Sequence, residues 1–85
     1  MYNKRVWLNK NNSASIGNIV AFDGDVLWKK EKIRSTFLSI SDCSVSARIH
    51  KTDDDTDKDF LDKMKLLKSE IEQFINYLEL NKENT

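Results

Sequence analysis

Two periods of apolar residues divide this chain. Up to residue 51 the apolar side chains come in short runs that alternate or fill both phases, as strands do; from Phe60 they recur every three or four residues, as in a helix. Residues 5–8 (RVWL) predict a short strand with Val6 and Leu8 on one face and Trp7 on the other. Residues 9–15 (NKNNSAS) form a polar loop, since Asn and Ser tolerate turn backbone. Residues 17–22 (GNIVAF) are apolar on both faces from Ile19 on, so they predict a central strand covered on both sides. Asp23-Gly24 then reads as a two-residue hairpin turn, because primed turns need positive φ at both central positions. On that reading residues 25–28 (DVLW) return, and residues 29–34 (KKEKIR) are a basic connection. The apolar phase flips at Ser41-Asp42, from even positions (Leu38, Ile40) to odd ones (Cys43, Val45, Ala47, Ile49). A one-residue phase change requires a bulge or tight turn, which gives strands at about 36–41 and 44–51 joined through SDCS.

The last third predicts one long helix. Thr56 with Asp59 three residues on makes a capping-box pattern, and the neighbouring Asp residues suit the positive end of the helix dipole. Phe60, Met64, Leu67, Ile71, Phe74 and Leu78 then follow spacings of 4, 3, 4, 3 and 4, a heptad seam of the kind that pairs helices. Leu61, Leu66 and Ile75 widen it. The seam suits a copy of itself or the chain's own sheet.

Composition fits one small domain over residues 1–85, with a β-rich basic half (1–51), an acidic capping segment and helix (52–82) and a frayed tail (83–85). Of the 85 residues, 39% are apolar and 33% charged. So short a chain buries only roughly 60% of the surface its unfolded form exposes, so association often completes the core. The zero net charge hides an asymmetry. Residues 1–51 carry nine Lys/Arg against four Asp/Glu, and residues 52–85 carry five against ten. Mutual attraction of the two halves explains this most simply; attraction of an anionic partner is the sharper alternative. No signal peptide and no apolar stretch near the ~18 residues of a membrane helix is visible, so a cytoplasmic, soluble protein is expected.

The candidate chemistry is sparse. Cys43 and His50, the sole cysteine and histidine, would sit roughly 23 Å apart on opposite faces of one strand. They make neither a nucleophile–base pair nor half a zinc set, and Cys43 reads as a small buried hydrophobe. The acidic run 53–59 fails as an EF-hand, because Lys58 and Met64 fall where glycine and the bidentate glutamate belong. No phosphate-binding glycine motif is present, and Gly17 and Gly24 are assigned to turns. No metal or cofactor is called for, and no enzyme is expected.

One strip stands out. Ser44, Ser46, Arg48 and His50 lie on the even face of the last strand, and Arg5 and Trp7 on the outward face of the first. On a common sheet they would combine an aromatic ring with two guanidinium groups, which stack on bases and grip phosphates. A solvated polar face is the bland alternative. At least one of Trp7 and Trp28 is expected in the core.

In general build the chain is similar to small phage-encoded accessory proteins: short, proline-free, rich in Lys, Asn and Asp, with FDGDV and a closing helix, FLDKMKLLKSEIEQFINYL. Some of that class are counter-defence proteins that block a host immune protein or sequester its nucleotide signal. The resemblance implies a non-catalytic binding role and no particular site residue. The expectation is an α+β domain with a four- to five-stranded, mainly antiparallel sheet and a long C-terminal helix across it. It self-associates as a dimer or higher oligomer through Phe60, Met64, Leu67, Ile71, Phe74 and Leu78. Its leading role is to occupy a host protein. The alternatives are sequestration of a small anionic or nucleotide ligand between protomers, and a structural subunit without ligand. The balanced overall charge argues against nucleic acid, because general nucleic-acid binding wants a net basic domain.

Overall fold

The computed structural model describes residues 1–9, 17–42 and 44–81. Its chain divides into two compact units, Met1–Thr52 and Asp53–Thr85. The first is an antiparallel sheet of four strands, β1 (Tyr2–Trp7), β2 (Asn18–Trp28), β3 (Glu31–Asp42) and β4 (Val45–His50), in the order β1-β2-β3-β4. The second holds one helix, α1 (Asp57–Asn81). The fold is thus α+β with four strands, and β2 and β3 are the central ones. Most of the expected loop 9–15, Cys43 and all but the first residue of the terminal NKENT lie outside the described residues.

The Asp23-Gly24 turn is not there. β2 runs straight through both residues, and the chain reverses six residues later at Lys29-Lys30, where Trp28 pairs with Glu31. Lys29 and Lys30 have φ of 48° and 69°, the left-handed pair that a primed two-residue turn demands. Residues 31–34, expected as a connection, therefore belong to β3. Asp23 stays in the strand because its carboxylate has partners across the ladder. The Arg34 guanidinium donates to it through Nε (2.9 Å) and Nη2 (2.8 Å), and Thr36 donates through Oγ1 (2.7 Å). No glycine has positive φ, and Gly24 lies beneath Met1, whose Cγ would stand 2.8 Å from an added Cβ. Gly17 likewise makes no turn of its own: its carbonyl accepts from Leu8 N–H at 2.8 Å and extends the β1–β2 ladder.

The β3–β4 connection falls where the phase flip placed it, with Asp42 opposite Val45. Strand lengths are unequal. β1 covers β2 only from Asn18 to Asp23, and β4 covers β3 only from Phe37 to Asp42. Residues 24–35 thus continue past both edge strands as a two-stranded ribbon with Lys29-Lys30 at its tip. Among the described residues no apolar side chain is buried, and Ser39, at 8% exposure, is the buried polar residue.

The helix starts as its capping box dictates. Thr56 Oγ1 accepts from Asp59 N–H at 3.0 Å, and Asp59 accepts from Thr56 N–H at 2.9 Å. Two backbone donors that would otherwise lack partners are satisfied, and Asp57 and Asp59 add negative charge to the first turn.

Candidate binding face

The ladder fixes which side chains share a face, since residues paired across strands point the same way. Three rows cross all four strands on one side: Trp7, Asn18, Ser41, Ser46; then Arg5, Val20, Ser39, Arg48; then Asn3, Phe22, Phe37, His50. Arg5, Trp7, Ser46, Arg48 and His50 therefore occupy one surface. Ser44 does not join them; it lies in the turn before β4. The surface is broad. β1 and β4 are three strand spacings apart, roughly 14 Å, so Arg5 and Arg48 flank the face and do not converge on one small anion.

Between them lies an aromatic row. Phe22 and Phe37 stack with centroids 5.4 Å apart and planes at 21°, and His50 stands 5.5 Å from Phe37. The Arg48 guanidinium carbon sits 4.2 Å from the Phe37 centroid. That cation–π contact is worth about 0.5–1 kcal/mol at an exposed site and restrains an otherwise mobile side chain. Phe22 and Phe37 escaped the sequence reasoning, which left Phe22 as a core strand residue beside a turn. Their partnership becomes legible only once the turn stands at Lys29-Lys30.

Charge sorts by face. Among the described strand residues, Asp23, Asp25 and Asp42 alternate onto the opposite side, with Lys4, Lys32 and Arg34. The aromatic side carries Arg5 and Arg48 and a single carboxylate, Glu31, at the ribbon tip. The opposite side is aliphatic in its middle (Val6, Ile19, Leu38, Ile40, Ile49) and polar toward the ribbon. There the Arg34 hydrogen bond, helped by that of Thr36, lowers the Asp23 carboxyl to a pKa of about 2. An open recess at the ribbon's root is lined by Met1, Asp23, Gly24, Asp25 and Arg34; none of the expected site residues borders it.

The tryptophans correct the expectation of a core residue: Trp7 is 60% and Trp28 62% exposed. Trp28 shares the aromatic side, and Lys29 Nζ lies 5.9 Å from its ring. On α1 the expected interface residues Phe60, Met64 and Leu67 are half-buried, while Ile71, Phe74 and Leu78 are exposed. Among the described residues no group of His, Cys, Asp or Glu is placed to hold a metal ion, and no helix is long and apolar enough to cross a membrane. No protein family, curated protein or solved structure matches this chain.

Proposed function

We propose that this is a non-catalytic cytoplasmic binding protein that holds an anionic, ring-bearing ligand of the nucleotide class on the aromatic side of its sheet. One observation carries the reading: the Arg48 guanidinium lies over Phe37 in line with Phe22 and His50, on the face from which three of the four strand carboxylates are turned away. Rings offer stacking to a base, guanidinium groups offer paired donors to phosphate, and Ser41 and Ser46 add hydroxyls. This is the chemistry of recognition. The chain self-associates through α1, whose 4-3 seam, widened by Leu61, Leu66 and Ile75, can pair with a copy of itself.

The test is a titration of tryptophan fluorescence with a panel of mononucleotides, cyclic dinucleotides and oligothymidylates. Arg48→Ala should weaken binding by about tenfold, the size of one lost charge-assisted contact, with an unchanged far-UV spectrum. Absence of binding to every member of the panel would refute the reading. A second reading, occupation of a host protein in phage–host conflict, is favoured by the ribbon tip, where Leu27 is 74% and Trp28 62% exposed. Exposed tryptophan is a common anchor of protein interfaces. That reading expects Trp28→Ala to abolish capture of the host protein and Arg48→Ala to leave it intact.

A further inference from the structure

Resting on the nucleotide reading of the aromatic face, we infer that its ligand is a single strand of nucleic acid and not a free nucleotide. The first reason is length. Trp7 shares its row with Asn18, and Trp28 ends the same strand ten residues on, which at ~3.3 Å per residue is about 33 Å. Between them come the Phe22–Phe37–His50 row and then Val26 and Ile33, on the same face of the ribbon. One nucleotide engages a single ring and its neighbours. A surface with ring systems at both ends and in the middle offers successive bases successive platforms, and site sizes of ~4 nucleotides and upward are usual for such surfaces.

The second reason is charge. The whole chain is neutral, but the sheet unit alone carries nine Lys/Arg against four Asp/Glu. Arg5 and Arg48 stand on its aromatic side, on the two edge strands, and at the far tip Lys29 Nζ lies 5.9 Å from the Trp28 ring, beside the side's single carboxylate, Glu31. Cations spread along the rim of an aromatic floor match a chain of phosphates; a compact mononucleotide would need them gathered. The neutrality that spoke against nucleic acid is thus a property of the sum, with the acidic excess confined to residues 53–85. Sequence tolerance follows, because every base has a π-face and few amide side chains are at hand to read base edges.

The experiment follows fluorescence anisotropy of labelled oligothymidylates of about 2, 4, 8 and 16 nucleotides, a series spanning known site sizes. Thymidine monophosphate and a duplex of matching length compete. Affinity should climb with length and then level off. It should fall as salt rises from about 50 to about 200 mM, by the release of counterions from several phosphates. Trp7→Ala and Trp28→Ala should each weaken the longest strand by about fivefold or more, the low end of a lost stacking contact, and leave the shortest little changed. Equal affinity for the monophosphate and the longest strand would overturn the inference while leaving the nucleotide reading standing. Preference for duplex would overturn it as well. No binding of any of these, with cyclic dinucleotides also inert, would overturn both.

Discussion

Moving turn chemistry to where the turn is should stabilise the sheet. At Lys29 and Lys30, φ of 48° and 69° places two L-residues in the left-handed region, which costs roughly 1–2 kcal/mol for each. Asn accepts that region with a smaller cost and Gly with none, though Gly forfeits roughly 0.5–1 kcal/mol by loosening the unfolded chain. The double substitution Lys29→Asn, Lys30→Gly therefore nets about 1–2 kcal/mol. For a chain of this size each kcal/mol raises Tm by about 4–8 °C. Far-UV melts at one fixed protein concentration would read it, since association makes Tm depend on concentration. The companion is Gly24→Ala. With Gly24 in extended backbone, the new methyl presses on the flexible Met1 side chain and touches Phe22 Cζ at 3.4 Å; Met1 can swing aside, so the cost should stay below about 1 kcal/mol. If the reversal were instead at Asp23-Gly24, the Lys pair would be neutral or harmful to replace, and alanine at 24 would cost upward of about 1 kcal/mol. That pair of results would sink the register on which the binding face depends.

Thr56→Ala and Asp59→Ala should each cost α1 about 1 kcal/mol and lower ellipticity at the helix band, the double variant losing less than the sum because the two hydrogen bonds are reciprocal. The Asp23 carboxyl, held at about 2 against an ordinary 3.8, stabilises the fold fully above pH ~4 and ceases to as pH falls toward ~2. Acid titration of Asp23→Asn should lack that component; a wild-type curve identical to the variant's would discredit the Arg34 contact. Ile71→Asp, in the middle of the seam, should convert the assembly to monomer by light scattering, and a monomeric wild type would contradict pairing through the helix.

The helix was legible to within a residue or two because its determinants are local: a Thr and an Asp three apart, then apolar spacings that no strand produces. The β3–β4 reversal was legible for a similar reason, a parity flip confined to a few residues. The β2–β3 reversal was not. Asp-Gly carries strong turn propensity and Lys-Lys carries little, yet Asp23 finds Arg34 and Thr36 across the ladder, and eleven paired residues on each strand outweigh the dipeptide. The error propagates. A turn at Asp23-Gly24 would set Phe22 opposite Asp25, whereas the true register sets it opposite Phe37. Arg5, Trp7, Arg48 and His50 could be picked out from residue type and strand parity, but their common floor of phenylalanines lay beyond reach until the distant pairing was known.

The overhanging ribbon also limits how such a chain can vary over time. Because side chains alternate strictly, an insertion of one residue in each of β2 and β3 would turn the tip's faces over and carry Trp28 to the aspartate side, while an insertion of two in each would only lengthen the arm. Nothing beyond Gly24 is tied to β1 and nothing before Ser35 is tied to β4, so neither change disturbs the four-stranded base. Divergent copies of this gene should therefore differ in arm length by even steps per strand, a ruler of evolutionary change built from the pleat alone.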